Sequence, residues 1–152
     1  MDNPGVIGPP PLIVGAFTLA SLALDRSING VPSGRQAKMQ VAGMVLAGGA
    51  AALAGWAALT MRAAGTSIDP HRPATALVCC GPFRLTRNPL YLSLLAFQAA
   101  LGLILASPRS LLGLLPAAAV LRYGVIAREE RYLARKFGDA YRDYRRSVAR
   151  WL

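Results

Sequence analysis

Long stretches without a single charged residue leave this chain few folds to choose from. No Asp, Glu, Lys or Arg occurs from Val41 to Met61, nor from Leu90 to Ala106. Runs of this kind approach the roughly 20 apolar residues that cross a bilayer. In lipid, a single segment satisfies its own backbone polar groups only as a helix. Across the 152 residues 54% are apolar and 16% charged, against about 25% charged in ordinary soluble domains. The chain therefore reads as one all-α integral membrane domain, residues 1–152.

Four spans are expected, at about 12–24, 41–61, 89–106 and 110–126, followed by an amphipathic helix at 127–150. The first span is short and ends at Asp25-Arg26. Met1-Asp2-Asn3-Pro4 lacks the basic start of a signal peptide, so this span is taken as permanent. The second carries Gly43, Gly48, Gly49 and Gly55 among many alanines, a composition that lets helices approach closely inside a bundle. Pro70, Pro73 and Pro82 break the connection from Arg62 to Thr86, and its Leu77-Val78 patch is expected to dip back toward the membrane face. Asn88 as N-cap and Pro89 at the first helical position set the start of span three. A turn at Ser107-Pro108 makes spans three and four a helical hairpin.

With four spans the basic residues divide thirteen against four, the larger share on the side of the termini and the 62–87 connection. The positive-inside rule then places both termini in the cytoplasm, as expected for a protein of a bacterial inner membrane. The same rule accounts for the net charge of +10, and nucleic acid is not an expected partner. Cys79 and Cys80 are adjacent and His71 is the only histidine, so neither a disulfide framework nor a metal site is expected. His71 itself reads as a solvated loop residue.

Polar clusters sit at the water ends of the last two spans. Arg87 precedes a helix N-terminus, whose dipole repels a cation, so it is either a headgroup anchor or a clamp on a carboxylate of a ligand or of Glu129 or Glu130. Glu129-Glu130 is expected at a helix start, where the dipole favours both acids. Neighbours on a helix point about 100° apart, so at most one of them should face the bundle. Tyr91 lies one turn into span three, as a belt residue or as part of a site. Arg122 and Tyr123 fall inside span four, and Arg122 either snorkels to the interface or contacts an anionic acceptor. Beyond them Leu133, Phe137, Tyr141, Tyr144 and Val148 form an apolar stripe opposed by Arg131, Arg135, Lys136, Arg142 and Arg146. Such a helix lies on an anionic membrane surface, packs on the end of the bundle, or does both.

Taken in order, these residues resemble the isoprenylcysteine carboxyl methyltransferases and phospholipid methyltransferase-like integral membrane enzymes. Their pattern is Arg-His/Asn-Pro-x-Tyr, an apolar stretch, then Glu-Glu. It reads here as Arg87-Asn88-Pro89-Leu90-Tyr91, spans three and four, and Glu129-Glu130. Leu77-Val78 and Gly81-Pro82-Phe83-Arg84 match ahead of it, and Leu133 with Phe137-Gly138-x-x-Tyr141-x-x-Tyr144 behind, so the resemblance covers residues 62–152. It implies S-adenosylmethionine as methyl donor, with S-adenosylhomocysteine as product. Leu77, Gly81, Pro82, Arg87, Asn88, Tyr91, Glu129 and Glu130 are then the expected donor pocket, with Arg87 and Glu130 in catalysis; Arg122, from its place within span four and not from the resemblance, is expected to join them by contacting an anionic acceptor. The acceptor would be a lipophilic small molecule or lipid. Phospholipid N-methylation and a non-catalytic scaffold of the same fold are the alternatives. Ser93 departs from the glycine frequent after the tyrosine, and Leu121-Arg122-Tyr123-Gly124 is atypical ahead of the Glu pair. Both departures bear on the acceptor more than on the donor.

Overall fold

Proline opens three of the helical elements. Pro9-Pro10-Pro11 sits at the start of α1 (Pro10–Asn29), where a missing N–H costs no helical bond, and α1 is longer than the expected 12–24. The computed structural model describes residues 4–29 and 37–152, and the regular structure among them is entirely helical. Met1-Asp2-Asn3, and Arg35 of the charge count, lie outside the described residues.

α2 (Ala37–Ala63) lies against α3 (Pro89–Ile104) through Gly43, Ala50 and Ala57, seven residues apart on one face. The approach is close: a Cβ on Gly43 would stand 2.7 Å from Ile104 Cγ1 and 2.9 Å from the Ala100 carbonyl oxygen. Gly48 and Gly49, expected inside the bundle, instead face open space. Exposed Val45, Trp56 and Leu59 accompany them, because the heptad spacing turns the other residues of α2 away from α3. An apolar helix left this bare suits lipid, not water. Among the described residues, two helices are long and apolar enough to cross a membrane: α2, and one continuous helical run from Pro108 to Ser147.

That run corrects the expectation of a new helix beginning at the Glu pair. It consists of α4 (Pro108–Leu112), α5 (Leu114–Val120), a π-helical turn (Leu121–Ile126) and α6 (Ala127–Ser147). Ser107 caps it, its Oγ accepting from the Ser110 N–H at 3.1 Å. The jog at Gly113 has its cause in Pro116, which lacks an N–H and crowds the Leu112 carbonyl four residues back. Because the helix runs straight through residues 127–130, no free N-terminus is there to attract Glu129 and Glu130. α6 also departs from the single helix expected over 127–150. Gly138 interrupts it at φ 55° and ψ −125°, a backbone that L side chains avoid, and Val148 is already extended. Of the expected apolar stripe, Tyr141 and Tyr144 are buried, while Leu133, Phe137 and Val148 are half-buried.

The core gathers Val14 of α1, Tyr91 of α3, and Leu121, Val125 and Ile126 of the π-helical turn, with Trp151 packed against them. At the opposite end of the bundle, Ser107 Oγ donates to Asp25, and Arg109 pairs with the same carboxylate. This ties α1 to the α3–α4 turn. The two ends thus differ in kind: one is a closed polar lock, the other is where the chain's conspicuous motifs assemble.

Candidate functional site

Those motifs surround a cavity of about 100 Å³, open to solvent on one side. Its walls come from the 66–78 connection, the start of α3 and the inner face of α6. Leu77, Arg87, Asn88, Tyr91, Glu129 and Glu130 all line it, as does Val78, which is buried here.

Each polar side chain has a defined partner. Tyr91 donates its hydroxyl to Glu129 Oε2 at 2.8 Å. Arg87 Nη2 approaches Glu130 Oε1 at 3.2 Å, both side chains about nine-tenths buried. Arg150 donates to the same carboxylate through Nε (2.9 Å) and Nη2 (2.7 Å), a two-pronged charge-assisted pair. Both glutamates therefore meet the site, against the expectation that only one could. α6 passes between the start of α3 and the 149–150 backbone, so directions about 100° apart each find a wall. Asn88 stands at the N-cap of α3 but makes no cap bond. Its Nδ2 donates to the Arg150 carbonyl at 2.9 Å, and the Thr86 hydroxyl accepts from the Asn88 N–H.

Other expected residues contribute from outside the cavity wall. Gly81 and Pro82 form a 3₁₀ turn (Gly81–Arg84) that places Phe83 on the wall. Gly81 is at φ +58°, and a Cβ there would stand 2.9 Å from Thr60 Oγ1, so both backbone and space demand glycine. Ser93 turns its hydroxyl back to the Leu90 carbonyl at 2.7 Å and leaves the cavity untouched. Arg122 is exposed, stacked over the Tyr123 ring at 5.6 Å, and does not line the cavity.

Two participants escaped the sequence reading. Tyr132 is buried on the wall, its hydroxyl accepting from the Ala74 N–H at 3.1 Å and from Lys136 Nζ at 3.2 Å. Its place three residues after Glu129, hence on the same helical face, was the available signal. Arg150 offered none, being one of many basic residues near the end of the sequence.

Electrostatics separates the two acids. Glu129 lies beyond the apolar run that ends at Ile126. Burial pushes its carboxyl above the usual carboxylate range; the Tyr91 hydrogen bond pulls it back, and the neighbouring Glu130 adds to the rise. The Tyr141 hydroxyl is pushed up to about 12, by burial first and then by the charge of Glu130, with Arg87 opposing. Among the described residues, Arg87 Nε and Nη1 are buried and have no hydrogen-bond partner. Unpaired buried donors of this kind are costly, and a bound anion would satisfy them. The site thus offers unspent cationic donors beside a carboxylate, under an open mouth and over apolar walls. A zwitterionic molecule fits that description. Among the described residues no cluster of His, Cys, Asp or Glu could hold a metal.

An uncharacterized protein of Haemophilus influenzae is 46% identical over 63 residues, which make up 41% of this chain and 100% of that protein. No solved structure matches the chain. The profile of the family described as phospholipid methyltransferase matches residues 39–140, a segment that holds every expected site residue from Leu77 to Glu130. The match extends over more than half of the chain, which belongs to the phospholipid methyltransferase family.

Proposed function

We propose that the chain is an S-adenosylmethionine-dependent methyltransferase of the membrane, acting on a lipophilic acceptor at the interface. The carrying observation is Arg87, lining the cavity beside the Glu pair with two buried nitrogens, Nε and Nη1, that none of the described residues partners. A donor with a carboxylate, an ammonium and ribose hydroxyls matches that set. Arg87 would take the carboxylate, and Glu129 or Glu130, with Asn88 and Tyr91, the remaining polar groups. When bound, the donor supplies a methyl group on a positively charged sulfur, ready for displacement by a nucleophile. The protein's part is to orient and to exclude water. The walls from Leu77, Leu90 and Leu133 do the latter, and fixed orientation supplies much of the rate in such a transfer.

In this reading α1, α2, α3 and the run from α4 through the π-helical turn cross the bilayer. Both termini face the cytoplasm, and α6 lies amphipathically against that face. Family membership favours a lipid acceptor, with phospholipid N-methylation as one form and an isoprenylcysteine-like carboxyl acceptor as the other. Calorimetric titration of detergent-purified protein with S-adenosylmethionine tests the proposal. Saturable binding by wild type, lost in Arg87→Ala with the helical circular dichroism retained, supports it. No binding by folded wild type, with lipid present or absent, leaves the non-catalytic scaffold.

A further inference from the structure

The two glutamates carry unequal burdens. Glu130 already faces two guanidinium groups, Arg150 through two hydrogen bonds and Arg87 through one contact. Among the described residues, Glu129 has only the neutral Tyr91 hydroxyl, with the like charge of Glu130 beside it. Tyr141 faces the Glu130–Arg87 pair as a neutral phenol. Arg150 does not line the cavity, so whatever it does for a ligand it does through Glu130.

Its own position is well fixed. The Arg150 carbonyl accepts from Thr86 Oγ1 at 3.0 Å and from Asn88 Nδ2 at 2.9 Å, and the Arg87 N–H donates to the Ala149 carbonyl at 3.0 Å. The backbone at 149–150 therefore fastens all three residues from Thr86 to Asn88 while the Arg150 side chain saturates Glu130.

We propose that Arg150 is a positioning residue: by occupying Glu130, it keeps Arg87 from being drawn fully onto that carboxylate and leaves Glu129 as the acid that meets the ligand. Without it, Glu130 would claim a second Arg87 nitrogen, because a lone buried carboxylate is expensive. The donors that Arg87 holds open for an anion would close. This inference rests on the donor site proposed above.

Two nucleosides test it on the full chain in detergent. S-adenosylhomocysteine carries a carboxylate, and 5′-methylthioadenosine lacks the amino-acid portion. Arg150→Gln should weaken S-adenosylhomocysteine about tenfold or more, the worth of a hydrogen bond to a charged group, and methylthioadenosine less than about twofold. Arg150→Lys, which keeps the charge but loses the fork, should fall between. It carries the same comparison if the glutamine variant does not fold. Equal losses for both nucleosides make Arg150 merely structural, and unchanged S-adenosylhomocysteine affinity removes any role; either result overturns the inference. Wild type that binds neither nucleoside overturns the donor site itself.

Discussion

The Tyr91 hydroxyl on α3 hydrogen-bonds Glu129 on α6 across 38 residues of sequence, at 2.8 Å. The bond joins the two halves of the motif and is, among the described residues, the one hydrogen bond to the Glu129 carboxylate. Tyr91→Phe removes the donor and leaves a poorly solvated acid behind. A hydrogen bond to a charged group contributes about 1.5–3 kcal/mol. The thermal midpoint of the detergent-solubilised variant should fall accordingly, and affinity for S-adenosylmethionine should fall with it. An unchanged midpoint would mean that water replaces the phenol without loss.

Arginine and lysine should not be interchangeable at position 87. The guanidinium spends one nitrogen on Glu130 and, among the described residues, holds two unpaired, which a single ammonium cannot reproduce. Arg87→Lys should raise the dissociation constant for S-adenosylmethionine by about tenfold or more, by calorimetry. Recovery of wild-type affinity would show that charge alone is needed.

Acid should weaken donor binding through Glu129. Its raised carboxyl pKa leaves it partly protonated where an ordinary glutamate is ionised, and a cationic ligand prefers the ionised form. Affinity should therefore rise with pH through that raised pKa, and Glu129→Gln should flatten the profile. For the empty protein the sign reverses. The folded state holds this proton more tightly than the unfolded chain, so the contribution to stability declines as pH climbs from the usual carboxylate value to the raised one. A profile that is the same in wild type and Glu129→Gln would assign the titration elsewhere.

Gly81→Ala should be disproportionately harmful for one methyl group. The left-handed backbone costs about 1–2 kcal/mol for an L residue. Beyond that, the new Cβ would press on Thr60 Oγ1 and on the Trp56 ring, 3.2 Å away. A drop in thermal midpoint, together with a blue-shifted or quenched tryptophan signal, is the expected outcome. An indifferent alanine would place the turn elsewhere in solution.

Arg122→Ala should leave donor binding within about twofold of wild type, since the side chain is exposed and off the cavity wall. A tenfold loss would bring Arg122 into the site by a rearrangement absent here.

How much of this could be read beforehand follows the range of each interaction. Arg87, Asn88 and Tyr91 lie within five residues, and Glu129-Glu130 is a doublet, so local pattern exposed them and their meeting at one cavity. The partner that holds Glu130 is 20 residues further on, reached only because Gly138 breaks α6 and Val148 turns extended. Helical periodicity has no term for that return. The Glu pair also looked like a helix start because a charged segment followed an apolar one. Chain chemistry changes there, but backbone conformation does not. In α2, composition suggested close packing at Gly48-Gly49, whereas the seven-residue spacing of Gly43, Ala50 and Ala57 chose the face that packs.

The wide turn at Leu121–Ile126 carries a consequence for how such a chain tolerates insertions and deletions. A π-helical turn accommodates roughly one residue more than an α-helical one. Removing a single residue within the turn would be absorbed as the backbone relaxed to uniform α-helix, whereas removing one from the α-helical stretch beside it would swing everything downstream by about 100°. Glu129 would leave Tyr91 and Glu130 would leave Arg87, although every one of those residues would still stand in the sequence. Span length would hardly change, so insertion into the bilayer would proceed as before. The phase of the helix, as much as the identity of the acids on it, is what aims them.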